Sequence, residues 1–160
     1  MTTQARRKIS SRKALRSKLA RRQARGERIV FTSGCFDLLH IGHLRSLEQA
    51  RHLGDVLVVG VNRDRRVREL KGQGRPLVPE AQRAELLGGL ECVDHVVLFG
   101  EDTAGPLIRA LKPDIVCKGG EYRGAPVPEQ EVIDGLGGRF VLLRQVPRVR
   151  SSSLIKRAQR

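Results

Sequence analysis

Five short runs of apolar residues recur along the chain, each the length of a strand rather than of a helix. Because each run is continuous and does not alternate with polar residues, it predicts a strand buried on both faces, as in a parallel sheet. The predicted strands cover residues 29–31, 56–61, 96–99, 115–117 and 140–143. We therefore expect the chain to fold around a five-stranded sheet.

Stretches with the apolar spacing of a helix separate these runs. After the first strand, Ile41, Leu44, Leu47 and Ala50 recur on one face until Gly54 ends the pattern. Further helices are predicted at residues 79–90, 103–111, 128–136 and from 151 onward. This alternation predicts an α/β fold, a Rossmann-like doubly wound parallel five-stranded sheet with helices on both faces and a ligand site at the carboxyl ends of the strands.

Charge is distributed unevenly along the 160 residues. The formal net charge is +14, and residues 1–26 hold ten Lys or Arg residues and no Asp or Glu, which leaves 21 basic and 17 acidic residues in 27–160. We divide the sequence into a basic N-terminal extension, 1–26, and one α/β domain, 27–160, which is too short for two such domains. The mild positive charge of that domain suits an enzyme that handles phosphates.

The basic N-terminal extension is predicted to be partly helical. Ser10 and Ser11 are candidate caps, Leu15 and Leu19 share one face, and Gly26 is a natural stop. With so little apolar surface, this helix is expected to pack weakly on the domain or on a partner subunit in a homo-oligomer, most simply a dimer. The alternative from another class is a nucleic-acid-binding module, although four Phe and one Tyr supply few stacking platforms and no specific nucleic acid is expected.

The sequence favours a cytoplasmic protein. No apolar stretch has the length that spans a membrane, and the N-terminal residues lack the core of a secretory signal. Cys35, Cys92 and Cys117 are odd in number and far apart, which predicts reduced thiols and argues against a cysteine metal site. For Cys35, the role of a small buried side chain is favoured over that of a catalytic thiol.

The candidate chemistry begins where the first strand meets the following helix, in residues 31–43. His40 and His43 form an H-x-G-H pattern at the predicted helix N-terminus, where free N–H groups and the helix dipole attract an anion. Two imidazoles three residues apart can face the same anion. Gly34 and Gly42 leave room for a phosphate beside the backbone. The segment is therefore predicted to bind phosphate.

Polar residues also follow the other predicted strands. Lys71 and Arg75 lie in a glycine-rich stretch, 70–76, whose lack of apolar periodicity predicts a mobile loop able to clamp a phosphate. Paired glycines in 118–122 would let backbone groups meet a nucleotide. The serines of 151–153 would offer hydroxyl and N–H groups to an anion at the start of the last helix.

These motifs, in this order, resemble those of the H-x-G-H nucleotidyltransferases, which move AMP or CMP from a nucleoside triphosphate to an acceptor. The resemblance spans residues 27–160. The sequences of residues 34–40, 70–72 and 118–122 look most like those of the adenylyltransferases that make ADP-heptose from ATP and heptose 1-phosphate. Those enzymes serve lipopolysaccharide-core or related glycan biosynthesis. Cytidylyltransferases for glycerol 3-phosphate and FMN adenylyltransferases are the alternatives within the family.

The resemblance implies an enzyme whose substrates are ATP and a sugar 1-phosphate. It implies Mg²⁺ or another divalent cation bound through the substrate phosphates, with Asp37 as a candidate ligand. Enzymes of this kind often occur fused to a sugar kinase domain, for which 160 residues leave no room, so a separate sugar kinase is expected upstream. A homodimer is also typical of relatives of this size.

The resemblance further implies roles for individual residues. The expected catalytic residues are His40, His43 and Lys71. The expected nucleotide-binding residues are Ser33, Gly34, Cys35, Phe36, His40, Gly42, His43, Lys118, Gly119, Gly120, Arg148, Ser151, Ser152 and Ser153. The expected acceptor-binding residues are Asp37, Asn62, Asp64, Lys71, Arg75, Arg83 and Glu121. Relatives more often carry Asp at position 121, which leaves the role of Glu121 open, and Arg83 could instead be a helix-surface charge.

Overall fold

The computed structural model describes residues 3–146 and 150–159. Its strands form one five-stranded sheet in the order β3-β2-β1-β4-β5, with every neighbouring pair parallel. The strands are β1 (Ile29–Gly34), β2 (Val56–Asn62), β3 (His95–Phe99), β4 (Ile115–Lys118) and β5 (Arg139–Leu142). The predicted Rossmann-like parallel fold is confirmed.

Helices connect the strands and flank the sheet. Within the described residues they are α1 (Gln4–Arg7), α2 (Arg12–Gln23), α3 (Ile41–Arg51), α4 (Asp64–Lys71), α5 (Glu80–Gly88), α6 (Gly105–Leu111), α7 (Gln130–Gly135) and α8 (Ser151–Ala158), with a 3-10 turn at Gly120–Tyr122. None of these described helices is long and apolar enough to cross a membrane.

Two details of the helices differ from the sequence-based prediction. The pattern did not predict α4, in which Val67 is the buried residue among charged neighbours, so Lys71 ends a helix instead of lying in a loop. Ile41 was expected on the buried face of α3, but its side chain is 46% exposed, because a three-residue spacing drifts around a helix of 3.6 residues per turn. The buried positions of α3 are Gly42, Leu47 and Ala50.

The core lies in two layers, one on each face of the sheet. Alternate residues of each strand point to opposite faces, so that Phe31 and Val58 belong to the layer beneath α2, α6 and α7, and Val30 and Val59 to the layer beneath α3 and α5. Because helices cover both faces of the sheet, a ligand is expected to bind at the carboxyl ends of the parallel strands.

The N-terminal extension packs more tightly than the sequence predicted. Leu15 and Leu19 of α2 are fully buried in the same core layer as α6, so the expectation of weak packing is wrong. The backbone of residues 8–10 pairs with Val96 at the open side of β3, through Ser10 N–H to Val96 O at 3.0 Å and Val96 N–H to Lys8 O at 2.9 Å. The extension therefore covers a sheet edge, and its apolar face needs no partner subunit.

Salt bridges attach part of the basic charge of the extension to the domain. Arg6 pairs with Glu85 of α5 at 2.9 Å, and Arg12 pairs with Glu101 after β3. Surface pairs of this kind contribute little stability, so the buried leucines are the main attachment.

Replacing a buried leucine of α2 tests this attachment. Leu15→Ala is expected to lower the free energy of unfolding by about 3 kcal/mol, because it removes buried methyl groups and leaves a cavity under α2. Lys13→Ala, on the exposed side of the same helix, is the matched control and should change stability by less than about 0.5 kcal/mol. Urea denaturation measures both, and equal stabilities of the two variants would show that α2 is not part of the core.

Candidate active site

A cleft of about 870 Å³ opens at the carboxyl ends of the strands. It brings together most of the residues that the sequence analysis selected. Those that line it are Ser33, Gly34, Cys35, Phe36, Asp37, His40, Gly42, His43, Asn62, Lys71, Arg75, Lys118, Gly119, Gly120, Ser151 and Ser152. Residues far apart in sequence thus share one space, as expected for parallel strands that end at the same edge.

Three predicted site residues that the structure describes are not found in the cleft. Asp64, Arg83 and Ser153 do not line it. Arg148 lies outside the described residues. Glu121 belongs to the turn Gly120–Tyr122, and its role stays a prediction.

The backbone around His40 sets the proton position on its ring. His40 is the N-cap of α3, and its Nδ1 atom accepts a hydrogen bond from the Gly42 N–H at 3.1 Å. Because Nδ1 is an acceptor, the neutral ring carries its proton on Nε2. His40 therefore has a donor left for a ligand at the start of α3.

His43 is held against two other rings. Its ring stacks on His40 with centroids 3.8 Å apart, and the Phe36 ring meets it edge-on at 5.3 Å. Burial, reinforced by the nearby His40, lowers the pKa of His43 from 6.5 to about 4, and burial also lowers the pKa of His40. Among the described residues, the buried His43 Nδ1 atom has no hydrogen-bond partner. Both rings are therefore neutral at pH 7 in the free protein, and a bound anion would favour their protonation.

Phe36 shapes the turn before the histidines. Its φ of 48° is unusual for a residue with a side chain, and it turns the ring back over Gly34. A Cβ at Gly34 would lie 3.2 Å from the Phe36 ring. Glycine at position 34 therefore makes room for this ring. Gly34 also lines the cleft, and its expected place beside a phosphate stays a prediction.

Arg83 is buried beneath the cleft and does not line it, contrary to its expected role as an acceptor-binding residue. Its side chain is fully buried. The guanidinium donates to the backbone oxygens of Val78 at 2.8 Å, Asn62 at 2.8 Å and Cys35, and it pairs with Asp64 at 2.7 Å. With four of its five N–H donors engaged, Arg83 fixes the ends of β1 and β2 relative to α5, and Asp64 serves as its counter-ion.

Asp37 anchors the segment 75–78 to the histidine turn. Its carboxylate accepts hydrogen bonds from Leu77 N–H at 2.7 Å, Val78 N–H at 3.0 Å and the Arg75 guanidinium at 2.5 Å. Burial alone would raise the pKa of Asp37, but these donors outweigh it and lower the pKa. A carboxylate with both oxygens so engaged and 3% exposure does not fit the expected role of a metal ligand.

No protein metal centre is evident in the described part of the chain. Across residues 3–146 and 150–159, no group of three or more His, Cys, Asp or Glu side chains could hold a metal ion. The cleft instead collects donors, namely backbone N–H groups, imidazoles and cationic side chains, which are partners for anions.

Lys118 is held by a glutamate that the sequence analysis overlooked. Its Nζ lies 3.2 Å and 3.3 Å from the two carboxylate oxygens of Glu129, and 4.8 Å from the centre of the Tyr122 ring. Lys118 and Glu129 are 8% and 3% exposed, and both line the cleft. The sequence analysis treated residues 128–136 only as a predicted helix. The acidic residue at its start, Glu129, was the feature that could have indicated a partner for Lys118.

The N-terminus of α8 lies beside the turn that carries His40. The Ser151 hydroxyl donates to Leu38 O at 3.2 Å, which places the first turn of α8 beside the turn that leads into α3. Ser152 also lines the cleft, and Ser153 does not. Two helix N-termini, those of α3 and α8, thus face one cleft, and each offers free N–H groups.

Arg66 is a further cleft residue that the sequence analysis did not select. It lies on α4, donates to Asp102 O at 2.9 Å and pairs with Glu69 at 3.1 Å. Because the pattern did not predict α4, nothing in the sequence indicated that one side of this charged stretch faces the cleft.

Similarity to known proteins covers the whole cleft. Residues 31–157 match the family model described as cytidylyltransferase-like. Bifunctional proteins HldE from Citrifermentans bemidjiense and Pelobacter propionicus are 48% and 49% identical to this chain over 150 residues. Each alignment covers 94% of this chain and 31% of the relative, so the chain spans about a third of the length of these curated relatives.

Two solved structures share the fold. The lipopolysaccharide core biosynthesis protein from Thermoplasma volcanium superposes with a TM-score of 0.65 at 32% identity, over 76% of this chain and 98% of that one. Pantothenate synthetase from Thermus thermophilus superposes with a TM-score of 0.61 at 18% identity, over 87% of this chain and 62% of that one. The second likeness concerns the fold alone.

The low pKa of His43 predicts a pH dependence of stability. Between pH 6.5 and about 4, His43 is protonated in the unfolded chain but neutral in the folded chain. The contribution of His43 to the free energy of unfolding is therefore fully present above pH 6.5 and is lost as the pH falls toward 4. The expected loss is on the order of 1–3 kcal/mol. Urea denaturation at pH 7 and pH 4 should show a smaller pH effect for His43→Gln than for the wild type, while the exposed control His52→Gln should behave as the wild type does. Equal pH effects in all three proteins would contradict the assignment.

The buried position of Arg83 predicts a structural defect when it is replaced. Arg83→Met should lower the free energy of unfolding by about 3 kcal/mol or more, because the acceptors that it holds, including the Asp64 carboxylate, lose their partner. Arg68→Met, at an exposed position of α4, is the matched control. Denaturation curves that coincide for the two variants would show that Arg83 is not a structural cation.

Proposed function

This chain belongs to the cytidylyltransferase-like family of nucleotidyltransferases, and we propose that it transfers AMP from ATP to heptose 1-phosphate, giving ADP-heptose and pyrophosphate. The observation that carries the proposal is the pair of helix N-termini, with His40, His43, Ser151 and Ser152, on one cleft. The choice of heptose 1-phosphate as the acceptor rests on the sequence motifs and on the 48% and 49% identity to the HldE proteins.

The triphosphate of ATP would lie along the wall formed by these helix N-termini. The α-phosphate would contact His40 and His43 at the start of α3, and the β- and γ-phosphates would contact Ser151 and Ser152 at the start of α8. The contact between Ser151 and Leu38 supports this arrangement, because it keeps the two N-termini side by side. Aligned N–H groups and helix dipoles favour several negative charges there.

The reaction needs electrostatic shielding more than proton transfer. An oxygen of the sugar 1-phosphate attacks the α-phosphorus, a new P–O bond forms, and the bond to the β-phosphate breaks in line with it to release pyrophosphate. The attacking oxygen is already ionised, so no general base is required. The His40 Nε2–H and the His43 ring donate to the oxygens on which charge develops, and the anion favours a protonated His43.

Two further cationic side chains of the cleft, those of Lys71 and Arg75, suit the acceptor phosphate. Lys71, at the end of α4, and Arg75, held by Asp37, both line the cleft. The charge of Lys71 would offset the repulsion between the sugar phosphate and the triphosphate, and Arg75 would contribute less because its charge is partly matched by Asp37. The link from Arg75 to Asp37 keeps this charge close to the histidine turn.

Mg²⁺ would supply further neutralisation of the phosphate charge when bound. In the described part of the chain, the carboxylates do not form a cage for it, and Asp37 is engaged in other contacts. We therefore propose that the cation is held chiefly by the phosphate oxygens of ATP, a mode typical of Mg²⁺ in nucleotide enzymes.

The cellular setting follows from the proposed reaction. We propose that a sugar kinase activity provides the phosphorylated heptose, and that the ADP-heptose is used in lipopolysaccharide-core synthesis in the cytoplasm. We also propose a homodimer, on the basis of the family, although α2 does not need one to bury its leucines. Light scattering of the active protein tests the dimer, and a monomer at every protein concentration would contradict it.

A substrate panel tests the proposed function. ATP and CTP are each combined with heptose 1-phosphate, glycerol 3-phosphate or FMN, and pyrophosphate release is measured. The combination of ATP with heptose 1-phosphate should have the highest kcat/KM. Release that depends on CTP and glycerol 3-phosphate, or no release with any heptose 1-phosphate, would contradict the proposal.

Replacing His43 tests the mechanism. His43→Ala is expected to lower kcat by about 100- to 1000-fold, because it removes a donor to charge that develops in the transition state. The KM for ATP should change by less than about threefold, since the other phosphate donors remain. His52→Ala, an exposed histidine just after α3, is the matched control. A His43→Ala enzyme with wild-type kcat would remove this residue from the mechanism.

A further inference from the structure

The buried pair of Lys118 and Glu129 lines the same cleft as the histidines, at the starts of α6 and α7. Glu129 immediately precedes α7, and its Oε1 accepts a hydrogen bond from Ala104 N–H, at the start of α6, at 3.1 Å. Both α6 and α7 cover one face of the sheet, whereas α3 covers the other. The pair therefore lies on the side of the cleft nearer α6 and α7, whereas the histidines lie on the side nearer α3.

The charge of this side differs from that of the phosphate side. The Lys118 ammonium is matched by the Glu129 carboxylate at 3.2 Å, so together they present no net charge to the cleft. A phosphate dianion gains less from a cation that is already paired than from a free one, and the carboxylate would repel it. Such a side of the cleft suits an uncharged polar group.

One oxygen of the pair is incompletely satisfied. Glu129 Oε1 accepts hydrogen bonds from Ala104 and Lys118. The buried Oε2 makes a charge contact with Lys118, but no group in residues 3–146 and 150–159 gives it a hydrogen bond of good geometry. A buried polar atom without a hydrogen-bond partner is uncommon and calls for an explanation. A ligand hydroxyl is the group that fits, because it can donate to Oε2 and accept from the adjacent ammonium.

We infer that Glu129 is a specificity-determining residue that accepts a hydrogen bond from a hydroxyl group of a bound sugar, with Lys118 and Ala104 fixing its carboxylate. The inference rests on the proposed function, which supplies two sugars, the ribose of ATP and the acceptor heptose. Their chemistry at this point is the same, so the test separates them. In both cases a substrate without the hydroxyl leaves the carboxylate oxygen unsatisfied, which is how a polar site rejects deoxy analogues.

The test pairs a variant with substrates that lack single hydroxyls. Wild type, Glu129→Gln and the control Glu131→Gln, an exposed position of α7, are compared by pyrophosphate release. The substrates are ATP, 2′-deoxy-ATP and 3′-deoxy-ATP with heptose 1-phosphate, and ATP with a series of monodeoxy heptose 1-phosphates. Thermal melting checks that each variant is folded.

The expected result is a specific coupling. In the wild type and in Glu131→Gln, one deoxy substrate should lose about 10- to 100-fold in kcat/KM. In Glu129→Gln, the natural substrates should lose a similar factor, and that same deoxy substrate should be turned over no worse than its parent. Coupling to a deoxy-ATP assigns the ribose, and coupling to a deoxy acceptor assigns the heptose.

Two results would overturn the inference. A wild-type enzyme that tolerates every deoxy substrate within about threefold excludes it, even if Glu129→Gln fails to fold. A folded Glu129→Gln enzyme that discriminates among the deoxy substrates as the wild type does also excludes it. If the wild type does not act on heptose 1-phosphate at all, the proposed function fails instead, and calorimetric binding of ATP and its deoxy analogues to wild type and Glu129→Gln still tests the ribose contact.

Discussion

The arrangement of the cleft depends on one buried cation, the Arg83 guanidinium. It joins the backbone oxygens at the end of β1 and the end of β2 to the loop before α5, through Cys35, Asn62 and Val78. Strands in a parallel sheet finish with unpaired carbonyl groups, and a planar cation with five donors can satisfy several of them at once. The histidine turn is thus attached to its neighbouring strand, and Asp37 extends the same fixation to the segment that carries Arg75.

The cleft has two kinds of polar lining, one rich in hydrogen-bond donors for anions and one without net charge. In the proposed complex, the helix N-termini with His40 and His43 would bind the phosphates, and the neutral imidazoles would be favoured in their protonated form. Lys118 and Glu129 form an ion pair without net charge in the same cleft. A molecule with a charged phosphate end and a hydroxyl-rich sugar end matches both linings, and both substrates of the proposed reaction have that form.

Much of the fold was predictable because its signals are local. Continuous apolar runs such as residues 56–61 have few alternatives to a buried parallel strand, and the order of strand and helix then determines which strand ends meet. His40 and His43 were identified in the same way, since the glycine between them and the helix after them are neighbours in sequence. The cleft confirms that these two residues, Lys71 and two of the serines of α8, Ser151 and Ser152, come together.

Features that depend on distant partners could not be predicted from the sequence. Arg83 looks like a surface charge until its three carbonyl acceptors are brought around it, and Glu129 has no meaning without Lys118. Leu15 and Leu19 gave too short an apolar pattern to indicate that α2 completes a core layer.

A crystal structure with α,β-methylene-ATP and Mg²⁺ tests the central claim most directly. The account predicts the α-phosphate within hydrogen-bond distance of His40 and His43, with the β- and γ-phosphates at the start of α8. A triphosphate bound away from these helix N-termini would contradict it.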